Sequence, residues 1–183
     1  MKRELETKFA IRDEKAFLSV LERHGIHLTE PVEQRDIIYF RKGKGFSDLP
    51  HGEPVLRIRQ VGNAITTTLK IYRNGVSDRT EVECGITDQI AFDEYLKCLG
   101  FDSIVEVIKK RRKGTFSGAT IVLDEVCRLG HFAEIEVVTS DDGVSDGIEK
   151  LRMIVEHLGF DGKDAFTVPY DEMLYNKTRG ERF

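Results

Sequence analysis

The sequence predicts an α+β fold: an eight-stranded, mostly antiparallel, closed β-barrel forming a tunnel with a polar, charged lumen, and helices packed on its outside. Three observations predict it. Charged side chains recur on one face of five strand-like segments, three helical segments carry apolar stripes, and short Gly- or Asn-containing turns join successive strands. The faces decide the architecture. With the charged faces outward, the apolar faces would fill a small barrel and leave the amphipathic helices nothing to cover. With the charged faces inward, the apolar faces turn outward and the helices pack on them.

The first strand sets the pattern. In Arg3-Glu4-Leu5-Glu6-Thr7-Lys8-Phe9-Ala10-Ile11, Glu4, Glu6 and Lys8 share one face, and Leu5, Phe9 and Ile11 take the other. Asp13 then caps a helix whose Phe17, Val20, Leu21 and His24 fall at helical spacing before Gly25. A second strand spans about Glu33–Phe40. The run 41–54 holds three glycines and two prolines and reads as a mobile loop. Strands at about Val55–Gln60 and Ile65–Arg73 are joined by Gly62-Asn63, and Asn74-Gly75 turns the chain into a strand at about Asp78–Cys84. Arg57 and Arg59 share a face, Lys70 lines up with Thr66 and Thr68, and Arg79, Glu81 and Glu83 alternate with Val82 and Cys84.

Thr87 or Asp88 caps a second helix with Ile90, Phe92, Tyr95, Leu96 and Leu99 as its stripe, ending at Gly100. Strands follow at about Ser103–Lys113, Thr120–Val126 and Phe132–Val138, the last with Glu134 and Glu136 on one face. A third helix runs from about Ser145 to Leu158. The helix ends Tyr95–Asp102 and Ile154–Asp161 resemble each other, which suggests two related halves. A short helix around Tyr170–Leu174 and a frayed tail over 179–183 complete the chain.

At 183 residues the chain is read as one domain, 1–183, large enough to bury a sizeable core. Its net charge of -4 gives no general reason to expect nucleic-acid or membrane binding. Cys84, Cys98 and Cys127 lack metal-ligand spacing and are expected as reduced thiols. No signal-type or membrane-spanning apolar run occurs, so a soluble, cytoplasmic protein is expected. The five histidines fall at helix ends, loops and turns and read as solvated surface.

The expected lumen collects Lys8, Arg57, Arg59, Lys70, Arg79, Lys109 and Arg111 with Glu4, Glu6, Glu81, Glu83, Asp124, Glu134 and Glu136. Enclosing so many charges is costly unless a guest compensates them. A linear polyphosphate with divalent cations fits both signs: Lys and Arg bind phosphate oxygens, and carboxylates hold Mg²⁺ or Mn²⁺. Glu81 and Glu83 read rather as salt-bridge partners of lumen bases. Tyr39, Phe40 and Phe132 read as core.

Glu4-Leu5-Glu6-Thr7-Lys8 resembles the Glu-x-Glu-x-Lys signature that opens the CYTH superfamily, the triphosphate tunnel enzymes. Leu56–Arg59, Thr68-Leu69-Lys70, Lys109–Arg112, Leu123–Val126 and Leu129–Glu136 match in order, and the late segment is most similar to the class IV adenylyl cyclase branch. The resemblance implies that Glu4, Glu6 and a late carboxylate, Glu134 with Glu136 beside it, hold a divalent metal, two metals being expected at full occupancy. It implies that Asp124 acts near the reacting phosphate or ribose, through a metal or as a base. Lys8, Arg57, Arg59, Lys70, Lys109 and Arg111 would grip the triphosphate, Lys8 close to the chemistry. Whether Lys109 and Arg111 or Lys110 and Arg112 face inward depends on a one-residue register, with the first pair preferred. The strand-two segment Gln34–Phe40 carries one residue more than the family pattern, and Lys113–Phe116 lacks the expected aromatic position, so base recognition stays open.

The implied activity is conversion of ATP to cyclic AMP and pyrophosphate. The alternatives are hydrolysis of inorganic triphosphate or thiamine triphosphate, or a domain that binds polyphosphate without turnover. The oligomeric state is left open, with a homodimer among the options.

Overall fold

The computed structural model describes residues 2–72, 79–166 and 168–180. In chain order the elements are β1 (Lys2–Ile11), α1 (Glu14–Arg23), β2 (Val32–Arg41), β3 (Val55–Val61), β4 (Ala64–Tyr72), β5 (Arg79–Gly85) and α2 (Gln89–Cys98). They continue with β6 (Phe101–Phe116), β7 (Ala119–Val126), β8 (Gly130–Ser140), α3 (Val144–His157) and α4 (Tyr170–Thr178). The strands hydrogen-bond in the order β1-β8-β7-β6-β2-β3-β4-β5, an eight-stranded antiparallel sheet of an α+β fold. No helix among the described residues is long and apolar enough to cross a membrane.

The chain divides into two compact units, Met1–Val32 with Lys109–Val168 and Glu33–Ile108 with Pro169–Phe183. The two look-alike helix ends, after α2 and after α3, fall one in each unit. Each capping residue acts as its side-chain chemistry dictates. Asp13 accepts the amide of Ala16 at 3.0 Å and Asp88 that of Ala91 at 3.0 Å, each satisfying a donor that the first helical turn leaves open.

In the first unit, alternation along the strands sends Phe9, Ile121, Leu123, Ala133, Ile135 and Val137 into a core shared with Phe17 and Leu21 of α1 and Ile154 and Val155 of α3. Helix periodicity and strand periodicity meet there, as expected for helices covering an apolar sheet face. Gly147 lets α3 come close, since a Cβ there would lie 2.7 Å from Leu5 Cδ1. In the second unit, Tyr39, Ile58, Leu96 and Phe101 form the buried cluster.

Two expectations need correction. The run 41–54 is not simply a loop, because Phe46–His51 forms a 3-10 turn. Its Phe46 ring is an apolar anchor that the Gly and Pro content masked: it lies 5.1 Å from the Phe40 ring and 5.4 Å from that of Tyr175 on α4. The stripe expected on α2 is also narrower than its spacing suggested. Leu96 is buried and Phe92 packs beside it, whereas Ile90 and Leu99 are 78% and 56% exposed. The Asn74-Gly75 turn lies outside the described residues.

Candidate functional site

In the first unit, four antiparallel strands bring the charged positions together. The β1–β8 register sets Glu6 opposite Glu136 and Lys8 opposite Glu134. A rung of two acids therefore adjoins a rung of acid and base. The β6–β7 register sets Arg111 opposite Asp124, and Lys109 shares their face. Lys110 lies on the other face, where it pairs with Glu125 at 3.6 Å with both side chains more than half exposed. The register left open in the sequence thus resolves with Lys109 and Arg111 beside Asp124.

The base–acid part of this surface is closely knit. Arg111 Nε donates to Asp124 Oδ1 at 2.7 Å and Nη2 to Asp124 Oδ2, and Nη2 also donates to Glu134 Oε2 at 2.5 Å. Lys8 Nζ stands 3.2 Å from Glu134 Oε1, and Lys109 Nζ 3.9 Å from Asp124 Oδ2. Asp124 has no exposed surface, and the Lys8 and Lys109 side chains are 5% exposed. Carboxylates so enclosed are tolerable because each faces two cations. Burial acts to raise the Glu134 carboxyl, but Arg111, Lys8 and Lys109 outweigh it and hold it below the ordinary range.

One rung away the balance reverses. Desolvation, followed by the charges of Glu4 and Glu6, pushes the Glu136 carboxyl up, with only Lys113 acting against them. Glu4 and Glu6 are themselves exposed. The five acids expected as metal ligands therefore divide into two groups. Glu4, Glu6 and Glu136 repel one another, while Asp124 and Glu134 are already neutralised by bases.

The second unit gathers a basic group. Arg59 grips Asp36 through two hydrogen bonds, Nε to Oδ1 at 2.7 Å and Nη2 to Oδ2 at 2.6 Å, from directly opposite positions on β2 and β3. Arg57 Nη2 donates to Thr68 Oγ1 at 3.2 Å, and that hydroxyl donates to Glu83 Oε2 at 3.0 Å. Lys70 Nζ stands 3.4 Å from Glu81 Oε1. Glu81 thus partners a base, as expected, whereas Glu83 is joined to Arg57 only through the Thr68 hydroxyl. Arg57 Nε is buried with no hydrogen-bond partner among the described residues. Desolvation, then the neighbouring Arg59 charge, lowers the Arg57 guanidinium from its usual range. The Arg79 backbone pairs with Tyr72 on β4, and its side chain lies outside the described residues.

Sequence reasoning assigned no site role to Asp36, Thr68 or Asp171. Asp36 could have been found from its alternation with Ile37 and Tyr39 on β2. Asp171, on the first turn of α4, had no such signal. Elsewhere, Tyr39, Phe40 and Phe132 are buried as expected. His24 and His157 lie 4.4 Å apart ring to ring, and His131 Nδ1 stands 3.6 Å from Glu14.

The model of the CYTH domain family matches residues 2–170. The chain belongs to the CYTH domain family. Among solved structures, it is similar to the PH1819 protein of Pyrococcus horikoshii, with 31% identity, a TM-score of 0.77, and coverage of 95% of this chain and 99% of that one. It resembles a candidate adenylate cyclase of Vibrio parahaemolyticus at 20% identity and a TM-score of 0.76, covering 94% and 97% of the two chains. A candidate adenylyl cyclase of Hippeastrum, described as having a dominant triphosphatase activity, aligns at 17% identity and a TM-score of 0.66 over 100% and 98%. None of the curated proteins matches the sequence.

The residues of this CYTH domain suit a hard divalent cation in their chemistry. Glu4, Glu6 and Glu136 supply carboxylate oxygens whose mutual repulsion a cation would relieve. Among the described residues no three acids, histidines or cysteines stand in a ready-made cage.

Proposed function

We propose that this CYTH protein is a divalent-metal-dependent enzyme acting on a triphosphate, of the adenylyl cyclase type. The observation that carries the proposal is the pair of adjoining rungs on β1 and β8: the acidic Glu6–Glu136 rung suits a cation, and Lys8 on the next rung suits a phosphate. Glu4, Glu6 and Glu136 would hold Mg²⁺ or Mn²⁺, with Glu134 and Asp124 close by. A bound cation would supply charge neutralisation to the phosphates.

The protein's own groups supply position and charge. Lys8, Lys109 and Arg111, and Arg57, Arg59, Lys70 and Arg79, are the proposed phosphate ligands. Arg57 is the best supported of the second set, because its buried Nε has a hydrogen bond left to donate. In cyclisation the ribose 3′ oxygen attacks the α-phosphorus, the bond from that phosphorus to the bridging oxygen breaks, pyrophosphate leaves, and the hydroxyl proton is released to solvent. Asp124 is then suited to orienting Arg111 and Lys109 rather than to taking a proton, since it is already bound by both. Little covalent chemistry falls to side chains, and the barrier is lowered by fixed charge around the phosphates.

Hydrolysis of the terminal phosphate is the second reading, favoured by the likeness to the Hippeastrum protein. Chromatography of products from ATP, inorganic triphosphate and thiamine triphosphate, each with Mg²⁺ and with Mn²⁺, separates the two. Cyclic AMP with pyrophosphate supports the first reading and orthophosphate the second. Tight triphosphate binding without any product leaves a binding domain and rejects the enzyme.

A further inference from the structure

Away from the charged strand faces, the first unit brings together two histidines that the proposed chemistry does not use. His24 follows α1 as its C-cap, and His157 is the last residue of α3. Both helices are fixed by the shared core, through Phe17 and Leu21 on one and Ile154 and Val155 on the other. Their two ends meet. The imidazole rings lie 4.4 Å apart between centres, with 54° between their planes. Phe116, the last residue of β6, supports both rings: it stacks on His157 at 5.2 Å and meets His24 edge-on at 6.1 Å. Among the described residues, no hydrogen bond or ion pair engages a ring nitrogen of either histidine. The pair is open to solvent, His157 being exposed and His24 half-buried. A cavity of about 440 Å³ opens beside His157, with Phe116, Asp146 and Met153 also in its lining.

We propose that His24 and His157 form a binding site for a first-row transition-metal ion, copper(II) before nickel or zinc, separate from the carboxylates of β1 and β8. The spacing of the rings carries the inference. Two imidazoles bound side by side to one ion, each at a metal–nitrogen distance of about 2.1 Å, have ring centres roughly 4.5–5 Å apart. The observed 4.4 Å lies just short of that range, so closing onto an ion asks for rotation of the rings and not for movement of the helices. The nitrogens are available, since the protein gives them no other partner among the described residues. Both rings sit at helix C-termini, whose carbonyl ends favour positive charge, and Phe116 limits the freedom that binding would remove. Imidazole selects copper, nickel and zinc over magnesium, and copper leads that series. Water reaching the pair from solvent and from the cavity would fill the remaining coordination positions. The inference stands apart from the triphosphate reading, because it uses none of those residues.

The alternative is that the two rings only pack on Phe116. Chelator-stripped parent, His24→Gln and His157→Gln, each given one equivalent of copper(II) at slightly alkaline pH, distinguish the two by electron paramagnetic resonance and calorimetry. The parent is expected to show copper coupled to two imidazole nitrogens. Each variant should show one, and should bind copper at least about tenfold more weakly. A packing role would leave the first equivalent of copper where it was in the parent. Coupling to fewer than two nitrogens in the parent, or an unchanged spectrum and affinity in both variants, overturns the proposal. Excess Mg²⁺ should leave copper affinity unaltered, whereas displacement by Mg²⁺ would place the copper on the acids and overturn it as well. Should a variant fail to fold, carbethoxylation of the parent by diethyl pyrocarbonate, read by peptide mass, decides instead. Protection of both His24 and His157 by copper supports the site, and protection of fewer than both refutes it.

Discussion

Replacing Arg111 by Met isolates the contribution of the enclosed ion network. Arg111 holds Asp124 by two hydrogen bonds and Glu134 by a third, and Asp124 has no accessible surface. After the substitution Asp124 keeps Lys109, at 3.9 Å, as its remaining ion-pair partner among the described residues. Removing one partner from such a pair costs about 3–5 kcal/mol, most of it the penalty of the stranded charge. For a chain of this size that corresponds to a fall of roughly 6–20 °C in melting temperature. Adding Asp124→Asn should recover part of the loss, with a coupling of about 1–3 kcal/mol between the two sites. The assay is thermal and urea unfolding of the ligand-free single and double variants at neutral pH with a chelator present. A single variant melting together with the parent, or strictly additive costs, would refute the argument that Asp124 is an enclosed carboxylate dependent on Arg111.

Three further outcomes follow. Glu134 and Glu136, two residues apart on one face, should respond to pH with opposite signs. Glu134 lies below its ordinary value of 4.5, so it contributes stability that is present above that value and lost as pH falls through its lower folded-state value. Glu136 lies above 4.5, so its ionisation detracts from stability as pH rises through its raised folded-state value, and the loss is relieved on acidification. Melting curves across pH should therefore show Glu134→Gln below the parent and Glu136→Gln above it at neutrality, both approaching the parent in acid; shifts of the same sign would contradict this. Arg57→Met should weaken tripolyphosphate binding by about 10–100-fold, the worth of a charge-assisted hydrogen bond, with no loss of ligand-free melting temperature; undiminished calorimetric affinity would remove Arg57 from the site. Gly114→Ala should destabilise by about 1–3 kcal/mol in urea unfolding, because its Cβ would lie 2.9 Å from the His27 carbonyl oxygen; a neutral result would show that this segment yields easily.

The strands were legible because alternation has a period of two and because Gly62-Asn63 marks a hairpin turn. The charged face was legible for the same reason: Glu4, Glu6 and Lys8 cannot leave one side of β1 without breaking the alternation of Leu5 and Phe9. Which acid meets which base was not legible, since that depends on strand register. Only the opposition of Lys8 to Glu134 and of Glu6 to Glu136 tells a neutralised carboxylate from a crowded one. Phe46 was lost among glycines and prolines, whose backbone preferences say nothing of an aromatic anchored on another element. Asp171 was lost because a helical acid is normally a solvated one.

The contrast between Asp124, wholly enclosed, and the exposed Glu4 and Glu6 has a consequence for the medium in which the protein works. Dissolved monovalent ions screen charges that they can approach and scarcely touch those sealed from solvent. Monovalent salt at about 0.15 M should thus ease the crowding at the acidic end of β1 while scarcely loosening the enclosed group around Arg111. The exposed acids of β1 are tuned by their ionic surroundings, and the enclosed group around Arg111 is not.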